Sequence, residues 1–233
     1  MDNIEQTLAS WRESLMTCIP IAGLHARNPV AYKWKALSRC WFLREAAFWR
    51  STDLLTQSHL LHQQGHGLGA RILLRSGFET LATLIHLNQL IQKVLDGSLD
   101  FHLFSRKTSV LLLGSRDGST SHQSLNIMTI LSKCDDRYPG LQQLYAILSE
   151  SAHPNYDGML NGYSEVDHEA FETRFSNRWM QIYGAGHLGA LNLCMSTFRY
   201  EYDVIWPGLM EVLESWVAKS DATLEATKST LGP

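Results

Sequence analysis

The chain has 233 residues, 45% of them hydrophobic and 18% charged, with a formal net charge of −3. That composition supplies a sizeable core and excludes wholesale disorder, and the length suits one large domain. The acidic balance excludes nucleic-acid binding through bulk positive charge and leaves only a local basic groove for such a role.

The opening stretch, MDNIEQTLASWRESL, places Ile4, Leu8, Trp11 and Leu15 at helical spacing and predicts a helix over residues 2–17. It is acidic and lacks the basic start and apolar centre of a secretory signal. Pro20, Gly23 and Pro29 then break the pattern within CIPIAGLHARNPV. Residues 31–63 predict a long amphipathic helix. Its Trp and Phe positions between 34 and 49 read as a core or as a dimer surface. The glycines of GHGLGA, residues 65–70, read as a joint before the most apolar helix, residues 68–95.

That apolar helix carries Arg71, Arg75, Glu79 and His86. No segment reaches the roughly 18 uninterrupted apolar residues that a membrane span needs, so a cytoplasmic protein without membrane association is expected. Cys18, Cys40, Cys134 and Cys194 form no C-x-x-C pair and read as free, mostly buried thiols.

Shorter helices are expected over residues 100–113 and 121–133, around the turn GSRDGSTS, and over 140–152. NYDGMLNGYSEVD reads as a loop. Asp167 is then a candidate N-cap, with Glu169 in the first turn, for a helix over 168–205 that ends before Trp206-Pro207-Gly208. GAGHLG, residues 184–189, has the letters of a dinucleotide fingerprint but no strand ahead of it, so its small residues read as room for a neighbouring helix. A last helix spans about 208–219, before a polar, frayed tail over about 220–233. No alternating strand pattern of useful length is visible. The expected fold is all-α: a helical bundle in a single domain over 1–233, its core about 31–206, with additional N- and C-terminal helices.

Arg71, Arg75 and Glu79 follow one another at i,i+4 steps, and His86 lies two turns on, so the four fall on roughly one face. Charges buried on such a helix need partners. LSESAHPNYDG, residues 148–158, is the natural source. Pro154 ends the helix at His153, and Glu150 sits in the last turn, where the helix dipole disfavours a carboxylate unless a cation meets it. Arg75 or Arg71 is the expected cation. Asn155 is a turn residue, and His153 presents an imidazole able to move a proton near neutral pH. The candidate site is therefore His153, Arg75, Glu79 and Glu150, with Arg71, Asn155 and His86 as binding residues. A structural ion pair beside a helix stop is the plain alternative.

Glu150 and His153 match a Glu-x-x-His spacing once, without the second copy that a helical di-metal site needs, so neither metal nor cofactor is expected. No nucleophile elbow, P-loop or zinc-protease helix is present.

LLRSGFET, with its Arg-Ser-x-x-Glu core, and YAILSESAHPNYDG, with Leu-Ser-x-x-x-His-Pro, together resemble an uncharacterised family of bacterial helical proteins over about residues 40–205. At a greater distance the chain resembles the HEPN class of helical domains, many of them dimeric ribonucleases of toxin–antitoxin and phage-defence systems. The resemblance implies a bacterial homodimer, burying some of the tryptophans, that acts on RNA or binds a nucleotide. His153 would be acid or base, and Arg75 would stabilise phosphate charge. The HEPN motif leaves four to six residues between its arginine and its histidine, and here the places for that arginine hold Leu148, Ile147 and Ala146. The same groove suits a non-catalytic module that binds a small ligand or a partner protein.

Overall fold

The computed structural model describes residues 3–228. Among them are ten α-helices, two short π-helical turns and two two-stranded sheets. The helices are α1 (Ile4–Glu13), α2 (Ile21–Arg27), α3 (Pro29–Tyr32), α4 (Lys35–Gln63), α5 (Gly67–Leu95), α6 (Phe101–Leu113), α7 (Ile127–Asp135), α8 (Leu141–Ala152), α9 (Trp179–Tyr200) and α10 (Trp206–Thr227). The strands are β1 (Gly114–Ser115), β2 (His122–Gln123), β3 (Ser164–Asp167) and β4 (Glu172–Phe175). The fold is all-α, as its composition and periodicity imply.

Local chemistry sets the helix ends. Asn3 accepts from the backbone of Glu5 at 3.1 Å and opens α1, and Asp100 accepts from Leu103 N–H at 2.9 Å and opens α6. Gly65, at φ +80°, turns the chain between α4 and α5, where a side chain would be strained. The proline-rich break after α1 is more ordered than its composition implies: it holds α2 and α3, the second capped by the Asn28 side chain on Ala31 N–H at 3.0 Å.

Three expectations fail beyond α8. Asp167 opens no helix; its carboxylate accepts from Glu169 and Ala170 N–H at 3.1 and 3.0 Å and closes the turn of a β3–β4 hairpin. The helix then begins at Trp179. No stop occurs at Trp206-Pro207-Gly208. A π-helical turn, Glu201–Ile205, runs straight into α10, where Pro207 occupies the first turn and its missing N–H costs nothing. That helix continues through Thr227, so most of the supposed tail is ordered; residues 229–233 lie outside the described residues.

Backbone packing divides the chain into two units, and α4 and α5 each contribute to both. The first comprises the segment ending at Ser14, Trp49–Leu81 and Cys134–Thr197. Its core gathers Trp11, Leu55, Leu74, Phe78, Tyr145 and Trp179, all at most 2% exposed. Burial of each such side chain contributes roughly 1.5–3 kcal/mol. The second comprises Leu15–Phe48, Ala82–Lys133 and the segment from Phe198 onward. Its core is built on Leu37, Cys40, Leu87, Phe104, Trp206 and Leu213. There the Trp41 and Trp206 rings meet edge to face at 4.5 Å, and the Arg44 guanidinium lies 3.4 Å from the Tyr202 ring centre.

Trp11, Trp34, Trp179 and Trp206 are thus buried within the chain itself, while Trp49 is 46% exposed. Cys18 is exposed and Cys40, Cys134 and Cys194 are buried, and none of the four is in a disulfide. Burial pushes the Cys40 and Cys194 thiols up.

Candidate functional site

In the first unit, α5 carries its arginines against α8. The buried Arg71 donates from Nε to Ser151 Oγ at 2.7 Å and from Nη2 to the Ile147 carbonyl at 3.1 Å. Its Cζ lies 4.0 Å from the centre of the Tyr183 ring on α9. Burial lowers its pKa, offset by the nearby Tyr183 and Asp157. One turn on, Arg75 donates from Nε to Ser149 Oγ at 2.8 Å and from Nη2 to the Tyr145 hydroxyl at 2.6 Å. That hydroxyl donates to Glu79 Oε1 at 2.8 Å, and Arg75 and Glu79 pair directly at 3.2 Å. Burial, then the Glu79 carboxylate, raises the Tyr145 pKa.

The arginines and the 148–158 stretch therefore meet, through groups other than those expected. Ser149, Ser151 and Tyr145 receive the guanidiniums, and the exposed Glu150 does not. The reason is energetic: hydroxyls and a carbonyl satisfy a buried guanidinium without desolvating a second charge. Glu150 instead accepts a hydrogen bond from the Asn155 side chain.

Asn155 also organises the chain beyond the helix. Its Oδ1 accepts from Gly158 N–H at 3.0 Å and caps the π-helical turn Tyr156–Asn161. A Cβ at Gly158 would lie 1.8 Å from the His153 carbonyl oxygen, so only glycine permits this return. His153 leaves α8 in an extended conformation, as Pro154 requires, and its ring is exposed. Of the expected site, Arg71, Arg75 and Glu79 are joined in one network, while Glu150 and Asn155 pair separately beside the exposed His153.

His86 belongs to the second unit, 4% exposed, with Nδ1 unpartnered. Burial, helped by Lys133, pushes its pKa down to about 4. It supplies no binding group to the network. Sequence reasoning overlooked Tyr145, Ser149, Ser151 and Tyr183; the two serines stood inside the quoted motif, at the end of α8 that the two arginines meet.

A second polar group joins α4 to α9. The His62 and His187 rings stack at 4.8 Å and 10°, and His187 Nε2 lies 3.2 Å from Ser58 Oγ. Burial and the neighbouring His62 push the His187 pKa down to about 4. Two glycines of the 184–189 stretch, Gly186 and Gly189, face open space, so among the described residues no neighbouring helix packs against them. Among the described residues no cluster of three or more His, Cys, Asp or Glu could hold a metal ion, and no helix is long and apolar enough to cross a membrane.

Beside the arginine network the same helices wall a hollow of about 300 Å³. Phe78 and Leu81 of α5, Leu141 and Leu144 of α8 and Leu193 of α9 form its apolar lining, and Arg137 stands in its wall. Glu79 and Tyr145, the residues that tie α5 to α8, are the immediate chain neighbours of Phe78 and Leu144.

No family model matches the chain, and neither a curated protein nor a solved structure matches it.

Proposed function

We propose that this protein is a non-catalytic, cytoplasmic helical module that binds a small apolar acid in the hollow between α5, α8 and α9. The observation that carries this reading is the hollow itself: a mostly apolar lining, with Tyr138 and Thr197 beside one guanidinium, Arg137, in its wall. Concave apolar sites with a single orienting charge are the usual form of a small-ligand site, and a guanidinium favours a carboxylate. The arginine network supports the reading by another route. Arg71, Arg75, Glu79 and Tyr145 spend their hydrogen bonds holding α5 to α8, which keeps the walls of the hollow in place. Four cysteines outside any disulfide suit a reducing compartment.

Calorimetric titration with octanoate, octanol and octylamine tests this. Octanoate binds best, octanol weakly and octylamine not at all. Equal binding of all three, or of none, overturns the reading. A parallel incubation with total and transfer RNA, using wild type and His153→Ala with and without chelator, tests the HEPN-like alternative. Metal-independent cleavage lost in His153→Ala would replace the binding module with a ribonuclease.

A further inference from the structure

The β3–β4 hairpin, with four residues in each strand, stands out in a mostly helical chain. It is a two-stranded sheet, and every residue of β4 is exposed. Its register pairs Ser164 with Phe175, Glu165 with Arg174, Val166 with Thr173 and Asp167 with Glu172. Side chains alternate across such a pair, so the hairpin has two faces. One carries Glu165, Asp167, Glu172 and Arg174. The other carries Val166, Thr173 and Phe175, 54% exposed at Val166 and 76% at Phe175; Phe171, 94% exposed, stands in the turn at φ 55°, outside the alternation. A lone two-stranded ribbon is marginal in water, whereas more strands sharing an apolar face are stable. An exposed apolar face beside an open strand edge is a template for another strand.

The direction of the backbone groups follows from the ladder. Ser176 N–H donates to the Tyr163 carbonyl at 2.9 Å. Antiparallel strands alternate between pairs that exchange hydrogen bonds and pairs that do not. Glu172 and Arg174 therefore bond toward β3, and the N–H and C=O groups of Thr173 and Phe175 point out of the open edge.

That edge, Phe171-Glu172-Thr173-Arg174-Phe175, is complementary to itself. We infer that β4 pairs antiparallel with β4 of a second copy of this chain about a two-fold axis at Thr173. In this register Thr173 faces Thr173 and the two exchange hydrogen bonds. Glu172 faces Arg174 of the second copy, and Arg174 faces its Glu172. These are non-hydrogen-bonded positions, with Cα atoms about 4.5 Å apart, where opposite charges attract and like charges repel. Phe175 comes beside Phe171 of the second copy. The isologous contact closes after two copies, making a four-stranded sheet with one continuous apolar face. A shift by one residue sets Glu172 against Thr173 and loses both charge pairs, so the charges fix the register. Within one copy Arg174 already pairs with Asp167 at 3.2 Å and Glu172 at 3.4 Å, but its side chain is 66% exposed, and such exposed pairs exchange for the intermolecular ones at little cost.

The interface is small, so the dimer is weak and concentration-dependent. Sedimentation equilibrium of the full chain is expected to show monomer passing to dimer across the micromolar-to-millimolar range. Thr173→Pro removes an N–H that faces away from β3, a position where an edge strand tolerates proline. It keeps the monomer's thermal midpoint and abolishes the dimer. A second variant guards against a collapsed hairpin. In a Cys18→Ser background, Thr173→Cys cross-links to itself under mild oxidation, because the two-fold axis brings its Cβ atoms together; Val166→Cys, one strand removed from the axis, does not. A monomer at every concentration, a dimer that survives Thr173→Pro, or equal cross-linking of the two cysteine variants overturns the inference.

Discussion

The Tyr145 hydroxyl donates to Glu79 at 2.8 Å while it accepts from Arg75 at 2.6 Å. One oxygen on α8 thereby holds both members of an ion pair on α5. Tyr145 is 2% exposed, whereas the Arg75 and Glu79 side chains are 24% and 26% exposed. The pair alone is a near-surface contact of small value, in the less favourable helical order. The hydroxyl makes it a tie between helices. Tyr145→Phe keeps the ring in the core and removes only that oxygen, so the expected cost is about 1–2 kcal/mol. Urea denaturation checks it: the midpoint falls and the slope stays unchanged. A midpoint equal to wild type would mean that water replaces the hydroxyl without penalty.

Histidine burial makes stability depend on pH. His187 and His86 each have a folded pKa of about 4 against an ordinary 6.5. Both are neutral in the folded chain at pH 7. As pH falls below 6.5 the unfolded chain takes up a proton at each, and the folded chain does not until about pH 4. Stability present above pH 6.5 is therefore lost progressively as pH falls through that window, by up to several kcal/mol for the two together. Above pH 5.5 carboxylates hardly titrate, so a loss between 7 and 5.5 reports the histidines. His187→Gln is expected to flatten that part of the denaturation-midpoint profile and leave the part due to His86 and to His59, whose pKa burial also lowers. An unchanged profile would show that His187 is protonated freely in the folded chain, beside His62.

The α5–α8 tie shows what could be read before any coordinates. Helices α4, α5 and α8 declare themselves because their apolar residues recur at helical spacing over two or more turns, and Pro154 marks where α8 stops. The arginines at 71 and 75 announce that some buried acceptor must meet them. Their partners were hidden for a chemical reason: a guanidinium is satisfied by any acceptor, and Glu150 looked the natural one only because charge is conspicuous in a sequence and a serine hydroxyl is not. The hairpin was illegible because SEVD and ETRF are short and mostly polar. Asp167 with Glu169 reads as a helix cap because the same side-chain-to-backbone bond closes a turn and opens a helix. Nothing in the letters of Phe171 discloses that it sits at φ 55°.

Gly158 gives a sharper test of the 148–158 stretch. A methyl group there would lie 1.8 Å from the His153 carbonyl oxygen and 3.4 Å from that of Glu150. Both are backbone atoms and cannot step aside. Gly158→Ala must therefore push the π-helical turn off the end of α8, with a cost of at least about 1–3 kcal/mol as for other overpacking. Faster hydrogen exchange confined to residues 153–163 is the expected readout. Wild-type exchange there would mean that the turn relaxes without loss.

The hollow makes the last prediction, because its two kinds of wall can be altered separately. Leu144→Trp fills the space from α8 with apolar bulk, and Arg137→Gln removes the positive charge while leaving the lining intact. If a small acid binds there, Leu144→Trp abolishes octanoate binding altogether. Arg137→Gln reduces it to the level of octanol, a loss of about tenfold to a hundredfold for one charge-assisted contact of roughly 1.5–3 kcal/mol. Tyr145→Phe, which loosens the helices that wall the hollow, weakens octanoate and octanol alike, since it acts on shape and not on charge. Calorimetry on the three variants distinguishes these effects. An Arg137→Gln protein that still prefers octanoate to octanol would assign the anion to another group, and a Leu144→Trp protein that binds as wild type would move the ligand out of this hollow.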